Sequence, residues 1–165
     1  MFAAIAIVAA LLPSTFEVSR ETTIDRSPSH VYAMISDLEK WHPWDPWQTK
    51  ESGLRLKVTE SSSTGMKGVW LREDVAEGDI TVTQTTRNER LDISIRRGSD
   101  PERALVFVLK DMGTKTRLQW TVSGENGMYP LGNLFALQMD SYIGPAYELA
   151  LQKLKQHAET SSATP

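Results

Sequence analysis

The chain has 165 residues, a formal net charge of -3 at pH 7 and 40% hydrophobic residues, the size of one domain with one sizeable core. It contains no cysteine, which excludes disulfides, thiolate metal sites and a cysteine nucleophile. The clustered arginines Arg90, Arg96, Arg97 and Arg103 are interspersed with Asp92, Asp100 and Glu102, so the net basic face that nucleic acid requires is missing and nucleic acid is not an expected partner.

Residues Phe2 to Leu12 form an uninterrupted apolar run closed by Pro13. The run is shorter than the roughly 20 residues that span a bilayer, and it lacks the basic stretch that opens a signal peptide. Three readings stand: the end of a membrane anchor that begins upstream of Met1, a weak signal or anchor as written, or a helix packed on the domain. Residues 1–13 are therefore set apart from a domain over 14–158, and the small polar residues 159–165 read as a disordered tail. The expected location is membrane-associated through the N-terminal segment, on either side, and otherwise cytoplasmic.

Phe16, Val18, Thr22 and Ile24 alternate with polar residues, the period of a half-buried strand. Arg20 shares their parity and leans toward the apolar face. It reads as a clamp for a ligand carboxylate, a structural ion pair or a snorkelling side chain. Ser27-Pro28 then opens a helix, with Ser27 as its cap and Val31, Ile35 and Leu38 as its apolar stripe.

The stretch Trp41-His42-Pro43-Trp44-Asp45-Pro46-Trp47 ends that helix. The prolines push His42 and Asp45 away from the α region, so an extended path is expected, with the three indoles along one face about 9 Å apart. Indoles of this size need a large apolar receiver, either the core itself or a cavity that also takes a ligand. His42 and Asp45 form a candidate acid/base pair that the prolines would hold at the surface, where a solvated turn is the plainer reading.

Six short strands follow, over 54–59, 66–73, 79–86, 91–97, 104–110 and 115–123, joined by short polar turns that include Glu77-Gly78. Ile80 and Val82, then Leu91, Ile93 and Ile95, then Leu118, Trp120 and Val122 mark one face as apolar, which requires a cover. Residues 131–157 supply it, with Leu131, Leu134, Phe135, Met139, Tyr142, Ile143, Ala146, Leu149, Ala150 and Leu154 at helical spacing. Gly144-Pro145 is expected to kink or split this helix. The class is α+β: a curved antiparallel sheet of about seven strands around a long C-terminal helix. His30, His42 and His157 lie on separate elements, so neither a metal nor a cofactor is expected.

Val18-Ser19-Arg20, Ile24 to Pro28 with Val31-Tyr32, Ser36-Asp37-Leu38 leading to Trp41 and Trp44-Asp45-Pro46-Trp47, Gly68-Val69-Trp70, Glu77 to Val82, Thr116 to Thr121, and Tyr129-Pro130 running into Leu131-Gly132 together carry a resemblance. In their order and spacing the chain resembles the START-like or SRPBCC superfamily of helix-grip folds, and within it the polyketide cyclase/dehydrase-like proteins. The resemblance covers about residues 14–157. It implies an internal cavity that binds a hydrophobic or amphipathic small molecule or lipid, with a minority of members catalysing reactions there. It also favours the membrane-anchor reading, because many such proteins carry an N-terminal membrane segment that ends in a stretch like Leu12-Pro13-Ser14.

The candidate ligand-binding residues are Trp41, Trp44, Trp47, Trp70, Trp120, Phe135, Met139, Tyr142 and Arg20, with Glu73 and Gln119 as possible polar lining. No catalytic residue is assigned. Three functions remain open: a noncatalytic binding domain, a cyclase or dehydratase working in the same cavity, and a protein-interaction module of the same fold.

Overall fold

The structure, a computed structural model, describes residues 13–49, 52–62, 65–126 and 131–161. The apolar run Phe2 to Leu12 and the Tyr129-Pro130 pair lie outside the described residues, as does most of the expected tail. Among the described residues no helix is long and apolar enough to cross a membrane.

Strands β1 (Thr15–Ile24), β2 (Arg55–Ser62), β3 (Gly65–Arg72), β4 (Val75–Thr86), β5 (Arg90–Arg97), β6 (Arg103–Asp111) and β7 (Thr116–Glu125) form one antiparallel sheet in the order β1-β7-β6-β5-β4-β3-β2. Helix α1 (Pro28–Ile35) and a 3-10 turn (Leu38–Lys40) follow β1; α2 (Leu131–Ala136) and α3 (Met139–Thr160) follow β7. This is the α+β helix-grip arrangement that the two periodicities require. Leu91, Ile93 and Ile95 on β5 and Leu118, Trp120 and Val122 on β7 are all buried on the inner face, because alternate residues of a strand point the same way. Register shifts at Val58/Glu60, Trp70/Leu71 and Val82/Gln84 bend and twist the sheet locally.

The turn expected at Glu77-Gly78 lies instead at Glu73-Asp74, where both residues adopt positive φ, 48° and 67°. That is the backbone of a two-residue hairpin whose twist matches the flanking strands, here built without glycine. Gly78 falls inside β4, at the bulge opposite Trp70. A Cβ there would stand 2.6 Å from the Arg96 carbonyl oxygen, so the glycine marks a close backbone approach.

The C-terminal cover also departs from expectation. The break falls at Leu137-Gln138, between α2 and α3, and α3 runs unbroken through Gly144 and Pro145. Pro145 lacks the N–H that would bond the carbonyl of residue 141, and Ser141 is exposed. The missing Cβ of Gly144 makes room for Arg20, whose Nη2 would lie 2.1 Å from it. Ser27 occupies the N-cap position of α1, yet its side chain makes no capping bond and instead meets Ser29 Oγ at 3.0 Å.

Met139, Tyr147, Ala150, Leu151, Leu154 and Ala158 form the buried face of α3. The helix is tied at both ends, to β1 and to the residue that follows that strand. Arg20 Nη1 donates to Asp140 Oδ1 at 2.7 Å, and the Asp25 N–H donates to Glu159 Oε1 at 2.9 Å. Glu159 and Thr160 are thus helical, although the sequence places them in the tail.

Candidate functional site

The tryptophan stretch folds as a compact turn rather than an extended path. The Trp41 carbonyl accepts from both Trp44 N at 2.9 Å and Asp45 N at 2.8 Å, and Trp41 Nε1 donates to the Ile35 carbonyl at 2.9 Å. Backbone bonds that close the turn on Trp41 bring the Trp41 and Trp44 rings to a centroid distance of 4.5 Å, half the spacing an extended chain would give.

One aromatic cluster grows from this turn. Trp44 lies edge-on to Phe107 at 6.3 Å and to Trp120 at 6.0 Å, and Phe107 stacks on Trp120 at 4.8 Å. Trp47, half-buried, packs against Trp70 at 5.1 Å and Tyr147 at 5.9 Å. Tyr147 closes the ring from α3, 4.5 Å from Trp120. The loop, the sheet and α3 therefore meet through five tryptophans, one phenylalanine and one tyrosine. Met139 is buried at the start of α3.

Phe135 and Tyr142, expected on this wall, are 56% and 83% exposed and stand outside it. In an unbroken helix at about 100° per residue, Tyr142 lies about 140° round from Tyr147. Tyr147 is the residue sequence reasoning missed. The phase Met139, Ile143, Tyr147, Ala150, Leu151, Leu154 and Ala158 marks the inner face, whereas the overlapping stripe through Tyr142, Ala146 and Leu149 is exposed.

Asp45, read as half of an acid/base pair held at the surface, is misplaced by that reading: it is buried, with 2% of its area exposed. Its Oδ1 accepts from Trp47 N at 2.9 Å, and its Oδ2 accepts from Gln48 Nε2 at 2.9 Å and Trp70 Nε1 at 3.0 Å. Burial pushes its carboxyl above the ordinary range, while the bonds from Trp70, Trp47 N and Gln48 and the charge of Arg97 act the other way. His42 stays exposed and reaches Asp45 only through Gln48, whose Oε1 lies 3.1 Å from His42 Nδ1. Burial also raises the Tyr147 phenol well above its ordinary value.

Two donors in the cluster are unmet. Trp44 Nε1 and Trp120 Nε1 are buried and have no acceptor among the described residues. Arg20 is engaged by both oxygens of Asp140, at 2.7 and 3.2 Å, and the bond holds the Asp140 carboxyl below its usual range. Glu73 sits at a hairpin tip, exposed, and Gln119 faces outward, donating Nε2 to Ser19 Oγ at 3.1 Å. Among the described residues no three groups are placed to hold a metal ion. Two depressions lie away from the cluster's centre. One of about 870 Å³ is bordered by Ser27, Asn88 and Asp111, and one of about 340 Å³ by Leu38, His42 and Gln48.

The fold recurs widely among solved structures. TTHA0849 from Thermus thermophilus superposes with a TM-score of 0.69 at 20% identity, over 89% of this chain and 99% of its own. A protein of unknown function, SA2116 from Staphylococcus aureus, gives 0.69 at 16% identity, over 91% and 97%, and CalU16 from Micromonospora echinospora gives 0.59 at 15%, over 87% and 76%. No curated protein matches the sequence. The family model described as polyketide cyclase/dehydrase and lipid transport matches residues 15–159, from the first strand to the last turn of α3. With the helix grip and its aromatic interior in place, the chain belongs to the polyketide cyclase/dehydrase and lipid transport family.

Proposed function

We propose that the domain binds a hydrophobic or amphipathic small molecule or lipid between the sheet and α3, against Trp44, Trp120 and Tyr147, without catalysing a reaction. The observation that carries this reading is the pair of buried indole N–H groups on Trp44 and Trp120 with no acceptor among the described residues. A buried donor left in that state costs about 1–3 kcal/mol, and an oxygen of a bound ligand removes the cost. Trp41, Trp47, Trp70 and Met139 supply the apolar surroundings. The family description, which includes lipid transport, supports the same class of ligand.

Asp45 argues against catalysis in this space. Three donors of the protein itself reach its two oxygens, so the carboxylate is engaged in organising the tryptophan turn rather than standing unpartnered as a base. A cyclase or dehydratase would need such a group. The apolar run Phe2 to Leu12, which enters the domain at Pro13, is proposed as a membrane tether. Recovery of the native protein only in the soluble fraction of its cells would remove that part of the proposal.

Native mass spectrometry of the gently purified chain tests the main reading. A bound mass is expected, released by organic solvent, and its release should change tryptophan emission. A second reading, a protein-interaction module, is favoured by the exposure of Phe135, Leu137 and Tyr142 around the α2–α3 junction. No bound mass, and no emission change with any screened hydrophobic compound, would replace binding by that reading.

A further inference from the structure

Two arginines stand at one end of the sheet's inner face. Arg97 continues the buried series Leu91, Ile93 and Ile95 on β5, and Arg103 begins the buried series Leu105, Phe107 and Leu109 on β6. Arg103 is the register partner of Ile95, so Arg97 is its diagonal neighbour on the same face, about 7–8 Å away at the backbone.

The sheet makes room for both stems by omitting side chains. Gly78 lies opposite Arg97 in β4, and a Cβ there would meet Arg97 Cγ at 3.1 Å. Gly124 lies opposite Arg103 in β7, and a Cβ there would meet Arg103 Cγ at 3.0 Å. The Arg103 guanidinium rests 5.6 Å over the Phe16 ring.

The Arg97 charge acts on the buried Asp45 carboxyl, but the hydrogen-bond donors of both arginines are underused. Arg97 is half-buried and has no ion pair among the described residues. Arg103 donates Nη2 to Asp100 at 3.3 Å, whose side chain is 54% exposed, and its Nε is buried without an acceptor among the described residues. Both positive charges act on the buried Tyr147 phenol against the effect of its burial, in keeping with their shared parity with the inward residues of the two strands. The neighbouring Arg96 is the contrast. It points outward and faces Asp79 at 3.6 Å.

Two guanidiniums on one face, with free donors and an apolar wall beyond them, match a planar or tetrahedral anion joined to an apolar chain. We infer that Arg97 and Arg103 hold the anionic head of an amphipathic ligand, a carboxylate or phosphate monoester, whose apolar body lies against Trp120 and Tyr147. The ligand's head takes the Arg103 donors that Asp100 now shares. The inference rests on the binding function proposed above and names the ligand class for that site.

Oleate, oleyl phosphate, oleyl alcohol and inorganic phosphate, titrated into the full chain at low and high salt, provide the test. The expected result is at least tenfold tighter binding of oleate or oleyl phosphate than of oleyl alcohol, with the advantage shrinking in salt; the tighter anion identifies the head. Inorganic phosphate alone should bind far more weakly. Arg97→Gln and Arg103→Gln should each lower affinity for the anionic probe about tenfold and leave oleyl alcohol unchanged, while Arg96→Gln changes neither. Equal binding of oleyl alcohol and both anions by the unaltered chain would overturn the anionic head and leave the binding function standing. Phosphate binding as tight as that of oleyl phosphate would overturn the amphiphile. Failure of every probe would overturn the binding function and this inference with it. The comparison among probes needs no variant, so a variant that fails to fold does not protect the idea.

Discussion

The interior has two ends, and they are built from different chemistry. Toward the C-terminal half of α3 it is aliphatic, with Ile24, Leu91, Leu109, Leu118 and Leu154 all buried. The polar groups around that end are bonded: Thr116 Oγ1 donates to the Arg26 carbonyl at 2.8 Å, and Lys115 pairs with Asp25 at 2.7 Å. Toward the start of α3 it is aromatic and carries a buried carboxylate, two indole donors without acceptors among the described residues, and two inward arginines. One end satisfies its own polar groups; the other holds polar groups that a solid core would not keep. On the proposed binding function, stability and recognition are thus separated along a single helix.

The sharpest test of that separation is Leu154→Ala at the aliphatic end, which should cost about 2–5 kcal/mol, as buried leucine truncations do, and leave ligand affinity unchanged. Urea unfolding beside a binding titration measures both. A matching loss of affinity would break the comparison.

Asp45→Ala comes next. It strips the acceptor from Trp70 Nε1, Trp47 N and Gln48 Nε2, and leaving a buried donor unmet costs about 1–3 kcal/mol. It should also loosen the tryptophan turn, read as a red shift of emission in the folded state.

The two ends should also answer pH with opposite signs. Burial holds the Asp45 carboxyl above its ordinary range, so its contribution to stability is fully present below about pH 4 and is lost as pH rises through the raised value. The hydrogen bond from Lys115 holds Asp25 below its ordinary range, so its contribution is present above about pH 4 and is lost as pH falls through the lowered value. Melting temperatures from pH 3 to 8 should therefore lose their alkaline-side decline in Asp45→Asn and part of their acid-side decline in Asp25→Asn. An Asp45→Asn profile parallel to that of the unaltered chain would contradict the assignment.

The smallest effect is expected at the seam between the ends. Gly144→Ala adds helix propensity worth about 1 kcal/mol, but the new methyl group occupies the place of the Arg20 guanidinium. The single variant should be neutral or slightly destabilised, and the same change in an Arg20→Gln background should stabilise by about 0.5–1 kcal/mol. Stabilisation of equal size in both backgrounds would show that Gly144 makes no room for Arg20.

Much of the fold was legible because burial on one face imposes a period. Ile93 and Ile95 could only share a face in a strand, and a one-sided sheet needed a helix to cover it. The features that escaped depended on contacts between distant residues. Gly144 read as part of a helix break because its partner, Arg20, comes from β1. The hairpin at Glu73-Asp74 was hidden because neither residue is the glycine that positive φ favours, whereas Gly78 answers a backbone approach from β5. Asp45 read as a surface residue because Trp70, one of the donors that offset its burial, comes from β3, far along the chain. Tyr147 was hidden behind Tyr142, since α3 carries two overlapping apolar stripes and only the sheet selects between them.

The strand order has a consequence for behaviour at high concentration. The sheet does not close, so β1 and β2 are its edges, and an open edge invites another chain to add a strand. Both are defended. Helix α3 is bound to β1 at Arg20 and to Asp25 just beyond its end, and β2 is interrupted at Val58/Glu60 and shows Arg55, Lys57, Glu60, Ser61 and Ser62 to solvent. A second copy would have to match a broken register while burying charge. The domain can therefore carry Phe135, Leu137 and Tyr142 on its outside without those side chains nucleating a growing sheet.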